Sequence, residues 1–215
     1  MTADQQLIVV QIPAGPIETN AFLVIDPATR EALIFDAPPD VVDRLAQAVE
    51  QHSARPVALV ITHTHWDHIG DVAVVAERFS IPVLVHEIER KRIENPSGGP
   101  EPIAPASVAR TLGDGDDVML AARRFSVMHT PGHSPGQISL YNADARALFG
   151  GDTLFPDGYG TVEIPGASQE DTVATIRRLL ELPDDVTVYP GHGRTTTIGR
   201  ERHWMTRVAE TGQLL

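Results

Sequence analysis

The 215-residue chain contains no cysteine. That excludes disulfide bonds, thiolate nucleophiles, iron–sulfur clusters and cysteine-ligated zinc. Basic side chains are scarce: 17 Lys and Arg stand against 29 Asp and Glu, for a formal net charge of −12. A surface of that sign repels phosphate backbones and anionic lipids, so neither a nucleic-acid partner nor a membrane partner is expected. Long apolar runs are missing as well. Stretches such as Val57 to Ile61 fall far short of the roughly 20 residues that span a bilayer. The opening residues, MTADQQLIVV, carry no basic head and no cleavage site. No signal peptide is expected, and the expected location is the cytoplasm.

What the chain does contain is ordinary for a globular protein: 42% hydrophobic and 21% charged residues. No repeat of 20–50 residues and no low-complexity segment interrupts it, so residues 1–215 are expected to form a single domain. Seventeen glycines and 17 prolines point to many short elements joined by turns. Strands are expected at Leu7–Ile12, Ala21–Ile25 and Ala32–Phe35, the first broken off by Pro13. Apolar spacings of three and four predict a helix over about Asp40–His52 and another beginning near Ile69. Val57–Ile61 reads as a strand buried on both faces. Pro82–Val85 is a further strand, Glu87–Ile93 a short helix, and Asn95–Ser107 a Pro/Gly-rich loop. Phe125–Met128, Gln137–Tyr141 and Ala145–Phe149 read as strands, and Gly113–Asp117 as a tight hairpin turn. A helix from Ser168 to Glu181, a strand at Val186–Tyr189 and a final helix from Arg200 to Gly212 complete the order. This succession predicts an α/β sandwich with helices outside two sheets.

Nine histidines are present, and several neighbour Gly, Pro or Asp. Three of them fall in Thr62-His63-Thr64-His65-Trp66-Asp67-His68, directly after the buried strand. In extended chain, residues two apart point the same way, so His63 and His65 converge on one point. Asp67 and His68, where the chain turns into a helix, face a second point. Imidazole and carboxylate together suit zinc, iron or manganese better than magnesium or calcium. Further ligand types stand singly at the ends of expected strands: His133 in TPGHSPG, Asp152 in GGDT and His192 in YPGHG. The glycines beside them let backbone approach a crowded centre.

This set of motifs resembles the metallo-β-lactamase superfamily. HTPGHSPGQISLY, LFGGDTLF and YPGHG are similar to the glyoxalase II (hydroxyacylglutathione hydrolase) branch and its short single-domain relatives. The likeness runs from about Ala21 to the end of the chain. It implies a four-layer αββα sandwich with a metal site where strands end. It also implies two divalent ions, zinc first with iron or manganese as alternatives. His63, His65 and His133 would hold one ion, Asp67, His68 and His192 the other, and Asp152 would bridge them. The implied activity is hydrolysis of a thioester or ester of a small-molecule substrate by a hydroxide shared between the two ions. Asp67 and Asp152 would be the catalytic carboxylates. Asp36, after the third strand, is a candidate acceptor for the outer N–H of a ligating imidazole.

The substrate side departs from that family. Thr161 stands where glyoxalase II has a basic residue, and Glu163 where it has a tyrosine. Arg194 replaces a second tyrosine, two residues past the last ligand. A neutral and an anionic side chain do not attract glutathione carboxylates. Tyr159, Thr161 and Arg194 are therefore the candidate substrate residues, with Asn95–Ser107 as a specificity loop. Two alternatives share the fold: a persulfide dioxygenase with one iron on His63, His133 and Asp152, and a lactone or phosphoester hydrolase. The Gly132–Gly136 match to G-x-S-x-G is accidental, because a nucleophile elbow must lead into a helix and Gln137–Tyr141 reads as a strand.

Overall fold

The computed structural model describes residues 6–215. Its strands are β1 (Ile8–Ala14), β2 (Thr19–Ile25), β3 (Glu31–Phe35), β4 (Arg55–Val60), β5 (Val83–His86), β6 (Val108–Leu112), β7 (Asp117–Leu120), β8 (Arg123–His129), β9 (Ile138–Asn142), β10 (Ala147–Gly151), β11 (Leu154–Phe155), β12 (Gly158–Tyr159), β13 (Thr187–Pro190) and β14 (Thr196–Thr197). The helices are α1 (Val42–Gln51), α2 (Trp66–Ile69), α3 (Val72–Phe79), α4 (Arg90–Glu94), α5 (Gln169–Leu179) and α6 (Ile198–Thr211). One six-stranded sheet runs β1 to β6 in order, and the other runs β14-β13-β10-β9-β8-β7. Strands β3 to β6 pair in parallel, as do β10 and β13.

The four layers follow from strands buried on both faces. In β2, Phe22 and Val24 turn toward the second sheet, whereas Ala21, Leu23 and Ile25 turn toward α1 and α3. In β3, Leu33 and Phe35 do the former, and Ala32 and Ile34 the latter. Period-two alternation sorts every residue, and since both faces are covered the run is apolar throughout. Phe35 stacks on Phe149 across the sandwich, with ring centroids 4.5 Å apart. A third apolar cluster, with Val173, Ile176, Met205 and Val208, seals α5 and α6 against the outside of the second sheet. The expected αββα arrangement is what forms. Among the described residues, no helix is long and apolar enough to cross a membrane.

Four local expectations are corrected. Pro13 does not end β1, which continues to Ala14; β1 lies at a sheet edge, where a missing N–H costs no ladder bond. The turn at Gly113–Asp117 is tight, with Asp116 N–H bonded to the Gly113 carbonyl at 3.1 Å, but it is not a hairpin turn. It carries the chain from β6 in one sheet to β7 in the other. The helix expected from Ile69 onward is split into α2 and α3. Gly70 packs so tightly on Pro39 that a Cβ there would lie 2.5 Å from the proline Cγ. The next residue, Asp71, accepts hydrogen bonds from Val41 N–H at 2.9 Å and Val42 N–H at 3.1 Å. The final helix starts at Ile198 rather than Arg200, because Thr197 caps it by accepting from Arg200 N–H.

The break in the helix thus places a cap on α1 from 30 residues away. Asp71→Ala is expected to lower stability by about 1–2 kcal/mol, the usual cost of a lost N-cap. Urea unfolding of the two proteins measures it.

Candidate metal centre

All the ligand types singled out in the sequence lie at one end of the sandwich. His63 and His65 follow β4, His133 lies between β8 and β9, Asp152 follows β10, and His192 follows β13. Asp67 and His68 fall inside α2, so the first helical turn aims both at the same space. Three groups have their ligand atoms within 4.8 Å of one another: His63–His65–His133, Asp67–His68–His192, and His63–His68–Asp152, which links the first two triads. Asp152 stands between those two. Its Oδ1 is 3.3 Å from His68 Nε2, and its Oδ2 is 3.4 Å from His133 Nε2 and 3.5 Å from His192 Nε2.

Four of the five imidazoles are aimed from outside. His68 Nδ1 is 2.8 Å from Asp36 Oδ2, and His133 Nδ1 is 2.9 Å from the Thr161 carbonyl. His192 Nδ1 lies 3.2 Å from the Ile17 carbonyl, and His63 Nδ1 lies 3.2 Å from Thr62 Oγ1. With Nδ1 engaged, each of these rings presents Nε2 inward, the arrangement that fixes tautomer and direction in metal sites. His65 instead turns Nδ1 inward, 2.8 Å from His133 Nε2. Asp36 also accepts from Thr62 N–H at 2.7 Å and Thr62 Oγ1 at 2.8 Å, so one buried carboxylate holds both the loop and a ring of the centre. Thr19 Oγ1 donates to Asp67 Oδ2 at 2.7 Å.

The donor set fits divalent cations. His63 Nε2, His68 Nε2 and Asp152 Oδ1 are buried without a well-formed hydrogen bond, the last two facing each other at 3.3 Å, although buried polar atoms are nearly always paired. The titration behaviour of the bare centre has the same origin. Burial, and then the neighbouring His68, hold His63 well below the usual histidine range. Burial, then His133, lowers His65 to about 4. Burial opposes a proton on His68, yet Asp152 and Asp36 raise it well above the usual range. Burial likewise opposes one on His192, but hydrogen bonds to Asp152 and Asp67 lift it to about 9. Burial would push Asp67 up; the His192 hydrogen bond and the His68 charge bring it down to about 2. Asp152 is held well below the carboxylate range, because His68 and His192 outweigh its burial.

The candidate substrate residues are placed differently. Tyr159 lies on the β11–β12 hairpin, donates its hydroxyl to the Leu215 carbonyl at 3.3 Å, and packs near Trp204. Thr161 is exposed, and what reaches the centre is its backbone carbonyl on His133. Arg194 is exposed beyond His192. A groove of about 960 Å³ opens beside Trp66, lined by Pro100 to Ile103 of the predicted specificity loop and by Glu18, Asp40 and Arg44. Ser134 of the accidental serine-hydrolase match is buried, and the chain runs on into β9 rather than a helix. His52, His86, His129 and His203 join none of the ligand groups among the described residues.

Two outcomes follow. At Gly191 a Cβ would lie 2.0 Å from Asp152 Oδ1 and 2.7 Å from His68 Cε1. Gly191→Ala is expected to weaken metal retention at least ~10–100-fold, the range for disturbed ligand support, measured by competition with a chelator. In chelator-treated protein at pH 7, His68 and His192, both raised by the neighbouring carboxylates, are expected to hold protons that a cation must expel. Loading with zinc is expected to release about two protons per chain, and about one fewer in His192→Gln. Release should decline as pH rises past about 9, where His192 is already bare. Calorimetry in buffers of different ionisation enthalpy counts them.

Comparison with known proteins agrees with this geometry. Residues 14–192 match the metallo-beta-lactamase superfamily profile. The chain is 34% identical over 200 residues to the probable metallo-hydrolase YqgX of Bacillus subtilis, covering 89% of this chain and 93% of that protein. It is 29% identical over 199 residues to the hydroxyacylglutathione hydrolase GloC of Haemophilus influenzae, with coverage of 89% and 93%. Among solved structures it is similar to the BLEG-1 B3 metallo-beta-lactamase, with a TM-score of 0.85, 37% identity, and coverage of 91% and 97%. It is also similar to ETHE1 from Myxococcus xanthus, at 0.79, 28%, 94% and 85%. A di-iron-bound form of TTHA1623 gives 0.75, 31%, 90% and 97%. A profile match over most of the chain, on the sandwich and ligand cluster just described, makes this protein a member of the metallo-beta-lactamase superfamily.

Proposed function

We propose that the chain is a hydrolase of small thioesters or esters that uses two divalent cations. His63, His65 and His133 would hold one ion and Asp67, His68 and His192 the other, with Asp152 a further ligand between the two sets. The observation that carries this reading is the convergence of the two triads on either side of Asp152, with buried donor atoms left without a well-formed hydrogen bond. A one-iron dioxygenase site on His63, His133 and Asp152 would leave His65, Asp67, His68 and His192 without a task. Zinc is the first expectation for the metal, and the di-iron form of a similar protein keeps iron in view.

When bound, such ions acidify a water molecule and polarise an acyl carbonyl oxygen. The chain's own part is orientation. Asp67, held at about 2, is ionised at neutral pH and serves as a fixed acceptor rather than a proton store. Thr19 and His192 fix its carboxylate from two sides. Trp66, between His65 and Asp67 in the chain, also lines the groove, where an aromatic ring would offer apolar surface to a substrate. The groove's carboxylates, Glu18, Asp40, Asp71 and Glu101, oppose one cation, Arg44, which is engaged with the Pro13 carbonyl. This balance disfavours the anionic glutathione half of a glyoxalase II substrate. It favours a neutral or cationic leaving group, with Arg194 on the His192 side left to meet an anionic acyl part.

The test is metal analysis of protein purified without added metal, followed by a substrate panel. The panel holds S-lactoylglutathione, neutral acyl thioesters, acyl-homoserine lactones, aryl phosphodiesters, a chromogenic β-lactam and glutathione persulfide. Two ions per chain and turnover of a neutral thioester or ester are expected. Asp152→Ala is expected to reduce kcat/KM by at least about 100-fold. One iron with oxygen uptake on the persulfide would overturn the hydrolase reading. Strongest turnover of the lactone, phosphodiester or β-lactam would move the substrate class.

A further inference from the structure

Among the buried carboxylates outside the ligands, one joins two of the loops that carry them. Glu89 closes a 3-10 turn, Glu87–Glu89, that follows β5, and it is 3% exposed. Its Oε2 accepts from Thr64 Oγ1, and its Oε1 accepts from Ser134 Oγ. Oε1 also accepts from the Gly136 N–H at 3.0 Å. All three partners are neutral. A buried carboxylate on neutral donors is tolerated only when its lone pairs are satisfied, and it contributes little stability that an apolar side chain of like volume would not.

The identity of those donors gives the carboxylate its meaning. Thr64 stands between His63 and His65, and Ser134 follows His133. The two loops joined at Glu89 are therefore the two that supply the His63–His65–His133 triad. Across the junction, His65 Nδ1 and His133 Nε2 approach to 2.8 Å. Residue 136 is cut to fit: a Cβ there would lie 2.5 Å from Glu89 Cγ and 2.9 Å from Oε1. Only glycine lets the carboxylate reach both loops. Glu89 touches no residue that holds the other triad, where Thr19 binds Asp67 and Asp36 binds His68, although Asp36 also binds Thr62 beside His63.

We propose that Glu89 is a positioning residue that ties these two loops together, sets the spacing of His63, His65 and His133, and so governs metal affinity at that triad alone. The proposal rests on the two-cation reading above. It acts through Thr64, Ser134 and Gly136, not by contact with a cation or substrate.

The experiment is cobalt(II) titration of chelator-treated wild type, Glu89→Ala and Glu89→Gln, followed by visible absorption and calorimetry. His133→Ala and His192→Ala assign the absorption bands to the two triads. Urea unfolding of the metal-free proteins runs alongside. Wild type is expected to bind two ions. In Glu89→Ala, affinity should fall about 10–100-fold for the ion whose band His133→Ala removes. The ion whose band His192→Ala removes should be unaffected. Glu89→Gln, which keeps the shape and one acceptor, should recover part of the loss, and it decides the matter if the alanine variant does not fold. A wild type binding fewer than two ions would refute the two-cation reading itself. Two ions in wild type, with both sites unchanged or equally weakened in the Glu89 variants, would refute the positioning role.

Discussion

Two carboxylates, Asp67 and Asp152, are nearly closed off from water at one end of the sandwich, and both lie against the same ring nitrogens of His68 and His192. Charge buried in this way must be neutralised on the spot. In the bare protein the neutralising charge is a proton on each of two imidazoles. Two other rings, His63 and His65, are pressed the other way, toward the neutral form that ligates a cation. Two pairs of chemically identical side chains are thus driven in opposite directions. The carboxylates raise His68 and His192, while burial and neighbouring imidazoles lower His63 and His65.

Those loops are held less by the core than by a small number of buried polar hubs. Asp36 binds the backbone and hydroxyl of Thr62 together with His68. Glu89 joins the 62–68 loop to the 133–137 loop. Asn20 takes the 190–193 loop through the carbonyls of Pro190 and Gly193. The apolar clusters bring the strand ends into the same neighbourhood. Hydrophobic packing is non-directional, and it does not set a nitrogen to within a few tenths of an ångström. Hydrogen bonds with defined angles do. The fold supplies the address and the hubs supply the aim.

This division of labour explains what was legible in the sequence. The ligands were readable because each is a residue type with few other uses in its setting, and each stands at the end of an apolar run. Asp36 was readable for the same reason. Glu89 was not, because its partners lie 25, 45 and 47 residues away and carry no local pattern. The turn at Gly113–Asp117 was read correctly as a turn and incorrectly as a hairpin. Local chemistry fixes chain reversal, but the choice of sheet depends on which apolar faces meet. Thr161 escaped reading in a deeper sense: its contribution to His133 is a carbonyl, which every residue carries.

The same reasoning separates the reaction from its substrate. The centre is built from side chains of the types that metal chemistry requires. The groove uses residues whose identity is free so long as the loop folds. Glu18 and Asp40 both adopt positive φ, at 55° and 62°, so their backbones are committed to turns while their carboxylates remain exposed. Charge at such positions can alter without moving a ligand. A chain can therefore keep the superfamily's fold and its cluster of His and Asp side chains while the charge of the neighbouring groove varies independently.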